Sequence, residues 1–454
     1  MAYLSFIDDD EAWKLNDHSC STTYLKKLVV VDDKGRQHLK TLQFCKCEVE
    51  AVRLIRFNLW PSSTKFPKVT FHFDFMRWLC GLLLESSVSV KSFCSALDAR
   101  TSKHMKTYIH HPVKDLYKVL VGGTADEFRH FIYQTENIHD DGSKCPACYE
   151  SSAKIYCCDA DFQLVRKESS GKNWSDPKHN NRLFVDQDAV DLFIDEYSAD
   201  KKKPEMNCSD FQAGNNLRSK YKNKKLSETA VFGCACRHEC PKMFFSLKHG
   251  ERLGYSVFLL NKLLEEDGQH GKLYLMYDIA CSLHQHLKKN NQNAVLERTS
   301  FAIPIFHAYG HKVDCQILYS PRRIEGLGLT DGEGMERIWS FLGKFSKITK
   351  EMTPENRIDL LTDALLHYGQ KMKNKLGFSL PDKLARAEDI EKKSKEALQE
   401  ILEPFAGVTT ECLQEWIDYE RVVCIRSKST ENHSLSPAEE YCLVLEELTK
   451  YRYF

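Results

Sequence analysis

The spacing of apolar positions changes from one part of the chain to the next. In residues 70–97 apolar side chains recur at steps of three and four, which predicts a buried helix. Residues 101–135 also favour helix, whereas residues 1–40 are polar and mixed and show no convincing period. These patterns predict an N-terminal region with mostly helical structure.

Three apolar runs in the middle of the chain predict buried strands. The first covers residues 154–165 and carries Asp159, and the second covers residues 273–278 and ends in Asp278. The third covers residues 301–306, and a helix is predicted to begin near Thr330, within a glycine-rich stretch. Strands and helices that share one region favour an α/β fold class.

The last hundred residues are predicted to be helical. Thr353 and Pro354 suit an N-cap and a first helical position, and the apolar spacing continues through Leu365. Residues 382–402 predict a charged helix with a narrow apolar stripe. Residues 436–439 match a capping box, which predicts one more helix after it.

Composition narrows the class of protein. The 64 Lys and Arg residues balance 64 Asp and Glu residues, so a polybasic, histone-like protein is excluded. The chain has no apolar run of membrane-spanning length and no signal-peptide core at its acidic start, which predicts an intracellular protein without a membrane partner. In a reducing compartment, the 18 cysteines favour metal binding or packing over disulfides.

Three acidic residues have positions that suit a metal site. Asp159 and Asp278 lie on predicted strands, and Glu336 lies on the following helix, so the three can converge beside one sheet. Such a cluster keeps its charges only with a divalent cation, and carboxylate oxygens are the ligands that Mg²⁺ prefers. Glu333 is the competing choice for the third ligand, although Thr330 and Glu333 also match a capping box.

Several motifs resemble those of the Kyakuja-Dileera-Zisupton (KDZ) transposases. The motifs are CDADFQL at 158–164, GER at 250–252, YDIAC at 277–281, FHAYGH at 306–311 and GLGLTDGEGMERIWS at 326–340. The resemblance implies an RNase H-like mixed sheet with flanking helices, together with helical N-terminal and C-terminal regions. It also implies a DDE site in which Asp159, Asp278 and Glu336 bind Mg²⁺ or Mn²⁺. The implied function is the cutting and joining of DNA at element ends, in the nucleus.

The resemblance suggests a division of the chain into four parts. Residues 1–60 would be a remnant of a cysteine-cluster region, marked by Cys45-x-Cys47, and residues 61–140 a mostly helical N-terminal region. Residues 141–350 would form the RNase H-like core, with a Lys-rich insertion near 166–230, and residues 351–454 a helical C-terminal region. Asp161 stands where the family motif is expected to have Asn, so it is either an extra ligand or a tolerated change.

Cysteine and histidine clusters suggest structural zinc. A tetrahedral zinc site most readily takes pairs of ligands from distant segments. One such site would join Cys145 and Cys148 to two members of a second cluster. The second cluster comprises Cys234, Cys236, His238 and Cys240. A weaker candidate set is His307, His311 and Cys315, whose spacing of four predicts one helix face, and a packed histidine pair is the alternative.

Basic residues supply candidate phosphate contacts. These are Lys220, Lys222, Arg322, Arg323 and Arg337, although charge runs are also common in solvated loops. An alternative function is that of a domesticated, catalytically inactive DNA- or chromatin-binding protein with a zinc-stabilised core. A third is a zinc-stabilised interaction scaffold that uses the helical tail. A homo-oligomer formed through the C-terminal helices is also expected.

Overall fold

The structure is a computed structural model of the 454-residue chain. It describes residues 12–15, 20–100, 113–136, 142–148, 153–171, 176–180, 182–199, 225–268, 271–405 and 407–430, with 441 and 444. Among these residues, no helix is both long enough and apolar enough to cross a membrane. The predicted capping box at 436–439 and the candidate contacts Lys220 and Lys222 lie outside the described residues.

The N-terminal part contains a mixed sheet that the sequence pattern did not predict. Its strands have the spatial order β2-β1-β4-β3 and comprise β1 Thr23–Val31, β2 Gln37–Cys45, β3 Leu59–Pro61 and β4 Val69–His72. Strands β1 and β2 form an antiparallel hairpin over nine residues each. Residues 1–40, whose polar and mixed sequence shows no convincing period, therefore include β1 and the start of β2.

Helices pack beside this sheet, as the three- and four-residue spacing predicted. They are α1 Glu50–Arg56, α2 Phe73–Ser86, α3 Val90–Arg100, α4 Leu116–Val119 and α5 Ala125–Glu136. The pattern over 70–97 covers two helices, because Ser87 adopts a left-handed conformation with φ of 48° and ends α2. Aromatic side chains fill the core between sheet and helices, with Trp60, Phe73 and Phe128 in edge-to-face contacts.

A second mixed sheet forms the centre of the chain. Its spatial order is β11-β10-β5-β8-β9, and its strands are β5 Ala153–Asp161, β8 Ala230–Cys236, β9 Pro241–Leu247, β10 Lys272–Met276 and β11 Thr299–Ala302. Strands β5, β10 and β11 run parallel, whereas β8 and β9 are antiparallel to their neighbours. A small ladder joins β6 Arg166–Lys167 to β7 Leu226–Glu228.

Helices cover both faces of the central sheet. They are α6 Gln187–Ala199, α7 Leu253–Glu266, α8 Ala280–Lys289, α9 Asn293–Arg298, α10 Ile305–Ala308, α11 Val313–Tyr319, α12 Gly334–Leu342 and α13 Ser346–Thr349. One hydrophobic core lies beneath α6, α7 and α8, and a separate core lies beneath α12 and the following helix. The predicted α/β fold class, a mixed sheet with flanking helices, is confirmed.

The C-terminal part is dominated by one long helix. Thr353 is the N-cap and Pro354 the first helical residue of α14, Pro354–Leu402, as predicted. The two helices expected here are one helix of 49 residues, with Pro381 inside it. Its buried side chains end at Leu376, and α15, Thr410–Thr430, follows.

Candidate functional site

Two strand-end aspartates lie side by side on the central sheet. The parallel register pairs Met276 of β10 with Cys157 of β5. Asp159 lies two residues beyond that pair within β5, and Asp278 lies two residues beyond it, just after the parallel strand β10 ends. The sheet therefore brings together two carboxylates that are 119 positions apart in the sequence.

A third carboxylate, Glu251, joins these aspartates. It lies in the connection between β9 and α7, and its side chain accepts a hydrogen bond from the Tyr277 hydroxyl. Carboxylate oxygens of Asp159, Glu251 and Asp278 all lie within 4.8 Å of one another. Sequence reasoning did not name Glu251 as a site residue, although the GER motif at 250–252 contains it.

Glu336 borders this cluster from the first turn of α12. Its side chain is 52% exposed, and its Oε1 lies 3.5 Å from His307 Nε2. Its charge acts on the clustered acids, since it contributes to raising the pKa of Asp159 and of Asp278. Glu336 is thus electrostatically coupled to the cluster and is ion-paired with His307.

Glu333 has a different local environment. It is buried, its Oε1 accepts the backbone N–H of Phe306 at 2.9 Å, and its Oε2 lies 3.3 Å from His307 Nδ1. The predicted capping box with Thr330 was wrong, because α12 begins at Gly334 and Glu333 itself is the N-cap residue. The carboxylate of Glu333 thus holds the first turn of α10.

Burial and mutual repulsion make the clustered acids weak acids. Burial, followed by the charges of Asp278 and Glu251, raises the pKa of Asp159 well above its usual range. Burial and the charge of Asp278 raise the pKa of Glu251 to about 8, and burial raises that of Asp278 to about 6. Outside the cluster, Glu333 and Glu336 raise the pKa of His307 to about 10.

The donor set of this cluster fits a hard divalent cation. Each aspartate has one oxygen oriented by the protein, since Trp339 Nε1 donates to Asp159 Oδ2 at 2.9 Å and Ile279 N donates to Asp278 Oδ1 at 2.7 Å. Oriented carboxylates that repel one another are stabilised by a cation with oxygen preference, such as Mg²⁺ or Mn²⁺. The arrangement can hold such an ion at the sheet edge.

Asp161 lies near the acidic cluster but does not join it. Its Oδ1 accepts the backbone N–H of Gln163 at 2.8 Å, and only 7% of the residue is exposed. Burial raises the pKa of Asp161, to which the charge of Glu336 contributes. The contact with Gln163 gives Asp161 a structural role in the turn that follows β5.

The first cysteine-histidine cluster assembles from two distant segments, as expected. One donor atom from each of Cys145, Cys148, Cys236 and His238 lies within 4.8 Å of the others. The sulfur atoms of Cys145 and Cys148 lie 3.5 and 3.2 Å from His238 Nδ1. Ligand atoms of a tetrahedral zinc ion are separated by about 3.5 Å, so this group fits a structural zinc site.

The other two cysteines of the predicted zinc-ligand set, Cys240 and Cys234, lie in different places from each other. Cys240 is buried beside the cluster, and its hydrogen bond, after those of Cys148 and Cys236, lowers the pKa of Cys145. Cys234 instead packs in the hydrophobic core beneath α6, α7 and α8 and is not brought into the group. The described structure thus places five of the six candidates together.

The weaker candidate set, His307, His311 and Cys315, does not share one helix face. Helix α10 ends at Ala308 and α11 begins at Val313, so the predicted continuous helix is wrong. His307 turns toward the acidic residues, whereas His311 and Cys315 group with Cys281. Cys281 is buried at the start of α8 and was not predicted as a ligand.

The Cys45-x-Cys47 pair gains a third member from a preceding segment. Donor atoms of Cys20, Cys45 and Cys47 lie within 4.8 Å of one another, and the last two sulfur atoms are 2.9 Å apart. This thiol cluster lies at the end of β2 and could also hold a metal ion.

The basic residues proposed for DNA contact also make contacts within the protein. Arg322 donates to the carbonyl of Gly328, and Arg323 pairs with Glu420 of α15. Arg337 Nε donates to Glu239 at 2.7 Å, and its Nη1 donates to Asp331 at 3.0 Å. Arg323 and Arg337 keep 36% and 43% of their side chains exposed, beside the glycine-rich loop and α12.

Two family models match different parts of the chain. A model described as Kyakuja-Dileera-Zisupton transposase matches residues 152–368, which include the central sheet and the acidic cluster. A second model, described as a CxC2-like cysteine cluster associated with KDZ transposases, matches residues 14–105. The chain is transposase-like, and it belongs to the KDZ family. No curated protein and no solved structure matches it.

Proposed function

We propose that this protein cuts and joins DNA strands in a reaction that depends on Mg²⁺ or Mn²⁺. The observation that carries the proposal is the cluster of Asp159, Asp278 and Glu251 carboxylates at the edge of the central sheet. Membership of a transposase family supports DNA as the substrate. The mixed sheet with helices on both faces supports an RNase H-like core.

In this proposal Asp159 and Asp278 hold the cation, and Glu336 completes a DDE site. Glu251 is an additional acidic ligand, and Glu333 remains the competing choice for the third position. The bound cation would activate the attacking oxygen and stabilise the leaving oxygen at phosphorus. Trp339 and the Ile279 N–H keep the aspartates in position, and His307 holds Glu336 near them.

The DNA would lie across the edge of the sheet that carries the acids. Arg337 lies one residue after Glu336, so its exposed guanidinium could exchange an intramolecular contact for a phosphate. Arg322, Arg323, Lys220 and Lys222 are further proposed phosphate contacts. A DNA substrate also makes the nucleus the proposed location.

The decisive experiment measures DNA cutting by the purified full-length chain. The probe is supercoiled plasmid carrying the DNA that flanks the gene, incubated with Mg²⁺ or Mn²⁺. Nicked and linear products are separated on gels, and a labelled oligonucleotide with a free 3′-hydroxyl reports joining. Asp159→Asn, Asp278→Asn and Glu336→Gln should each lower the rate more than about 100-fold, since loss of groups that only orient ligands already costs 10–100-fold.

A matched control separates loss of the site from loss of the fold. Asp195→Asn removes an exposed carboxylate on α6, away from the cluster, and should keep full activity. Glu251→Gln and Glu333→Gln then decide which glutamate supports the cation. If Asp278→Asn cuts DNA as fast as the unchanged chain, the proposed site is wrong.

The catalytically inactive DNA-binding alternative gives a different result in the same assay. Such a protein would retain plasmid at low salt, release it as salt rises, and show no cutting with either metal. That outcome would overturn the proposed chemistry and leave the family assignment intact.

We also propose zinc as the ion of the first cysteine-histidine cluster. Thiolate and imidazole donors select zinc, and a closed tetrahedral set is typical of structural sites. Cys148→Ser should lower the zinc content of purified protein by about one equivalent and lower its stability. Elemental analysis of variant and unchanged protein checks this, and equal zinc content in the two would contradict it.

A further inference from the structure

We propose that Cys281, His311 and Cys315 form a second thiolate-imidazole site that binds Zn²⁺. The site is separate from the cluster around His238 and does not depend on the proposed DNA chemistry. One donor atom from each of the three residues lies within 4.8 Å of the others. They come from the start of α8, from the α10–α11 connection and from α11.

The distance between two of the donor atoms agrees with coordination to one ion. With zinc–sulfur and zinc–nitrogen bonds of about 2.3 and 2.0 Å at tetrahedral angles, sulfur and nitrogen ligands lie about 3.5 Å apart. Cys281 Sγ and His311 Nδ1 are separated by 3.6 Å. That distance matches the separation expected for two ligands of one zinc ion.

Neighbouring contacts hold the ligand-bearing segments in place. Gln316 Nε2 donates to the carbonyl of His311 at 2.8 Å, which fixes the connection between α10 and α11. His284 Nδ1 and the Tyr319 hydroxyl are 3.0 Å apart, which links α8 to α11. The same two helices that contribute the thiols are therefore already held together beside the site.

The two thiols of the site are buried, which favours their binding to a soft metal ion over exposure to solvent. Cys281 and Cys315 are 0% and 1% exposed, whereas His311 is half-buried. Two thiolates and an imidazole are the donor types that select zinc over Mg²⁺ or Ca²⁺. Among the described residues these three donors supply three of the four ligands of a tetrahedral zinc site.

The position of the site gives it a structural consequence. Cys281 follows Asp278 by three residues, and His311 follows His307 by four. An ion bound to Cys281, His311 and Cys315 would link the start of α8 to the connection that carries His307. The soft-metal site would thus lie next to the carboxylate cluster while using different ligands.

The test is the zinc content of the full-length chain, measured by elemental analysis after dialysis. His311→Ala should lower zinc by about one equivalent per chain, because two thiolates alone bind the ion weakly. His311→Cys supplies another zinc ligand and should restore the lost equivalent. Since His311 is half-buried, both variants are expected to fold, which circular dichroism checks.

Two controls make the result specific to this ligand set. His307→Gln should keep the full zinc content, because His307 faces Glu333 and Glu336. Cys94→Ser removes a cysteine of α3 that lies outside the thiol clusters of the described chain, and should also keep it. Combining His311→Ala with Cys148→Ser should remove about two equivalents, since the two sites are separate.

Cobalt substitution provides a second readout. Co²⁺ bound by two thiolates should give a sulfur-to-metal charge-transfer band that weakens in Cys315→Ser. Unchanged zinc content in His311→Ala would overturn the proposal. A disulfide between Cys281 and Cys315 in the purified protein, detected by mass spectrometry, would overturn it as well.

Discussion

The carboxyl groups of Asp159, Glu251 and Asp278 oppose one another's ionisation when no cation lies between them. Burial is the main cause that raises all three pKa values, and the charge of Asp278 raises those of Asp159 and Glu251 further. An acid whose folded-state pKa exceeds its unfolded-state value binds more protons when folded, so its favourable contribution is present at low pH and is lost as pH rises through the folded pKa. The carboxylates that can bind a metal ion thus lower the stability of the folded protein when no ion is bound.

Without Mg²⁺, the protein is therefore expected to lose stability as the pH rises from about 4 to 8. The lower limit is the ordinary carboxyl pKa of roughly 4. The upper limit is the pKa of Glu251, raised to about 8. Thermal unfolding in Mg²⁺-free buffer at a series of pH values measures the fall, and added Mg²⁺ should raise Tm more at pH 8 than at pH 5.

A variant distinguishes this linkage from general sensitivity to pH. Asp159→Asn removes one charge from the cluster, so it should flatten the pH dependence and reduce the effect of Mg²⁺ on Tm. Asp195→Asn, on the surface of α6, should change neither. A Tm of the unchanged chain that does not respond to Mg²⁺ at pH 8 would contradict the linkage.

Residues at strand ends were easier to predict than residues in irregular segments. Asp159 and Asp278 follow short apolar runs, and a sheet brings the ends of its parallel strands together, so their proximity could be expected. Glu251 and Cys281 reach their clusters through a loop and a helix start, whose placement depends on tertiary packing. Local spacing carries no information about such contacts.

At the scale of elements, the glycine-rich loop before α12 determines how closely that helix approaches the sheet. Gly332 has φ of +83°, and a Cβ there would lie 2.5 Å from Met276 Cε and 3.0 Å from the backbone of Pro304. Met276 ends β10, two residues before Asp278. The absence of a side chain at Gly332 therefore lets the loop pack against the end of the strand that leads to Asp278.

Gly332→Ala is expected to destabilise the protein by about 2–4 kcal/mol, through positive-φ strain and a steric clash. Gly328→Ala is the matched control, because Gly328 has φ of +53° and open space where its Cβ would be. The control should cost only about 1–2 kcal/mol, from strain alone. Urea unfolding of both variants measures the difference, and equal costs would show that the close contact is unimportant.

Element prediction succeeded where one face of an element is regularly buried. Helix α2 and the start of α14 follow a clear three- and four-residue spacing, and Thr353-Pro354 marked a helix start. Strand β1 begins with exposed and half-buried residues, and only its second half is buried, so no alternation is visible over its full length. The break between α10 and α11 was also not predicted. The spacing of four continues on both sides of Tyr309 and Gly310, so the spacing alone does not mark the place where the helix ends.

At the scale of the whole molecule, α14 extends well beyond the core. At about 1.5 Å per residue its 49 residues span about 74 Å, and its buried side chains end at Leu376. Beyond that point Leu380, Leu384, Leu398 and Ile401 are 37%, 61%, 36% and 62% exposed. Their spacing places them on one side of the helix, so this segment has an apolar stripe that no other described element covers.

We therefore propose that two copies of the chain associate through this stripe, which we call the α14 stripe. Burying exposed Leu and Ile side chains stabilises an interface by about 25 cal/mol per Å² of apolar surface removed from water. Leu384→Lys combined with Leu398→Lys places two charges in the stripe and should convert the dimer to monomer. Sedimentation velocity over a range of protein concentrations measures the change.

The control for self-association adds the same charge on another side of the helix. Ala385→Lys with Gln399→Lys changes exposed residues away from the stripe, so the dimer should persist. The lysine pair within the stripe should leave the fold unchanged, because Leu384 and Leu398 contact none of the buried cores. A monomeric unchanged chain would contradict self-association through the α14 stripe. The three clustered carboxylates come from one chain. DNA cutting by the monomeric lysine variant would therefore show that cutting does not require the dimer.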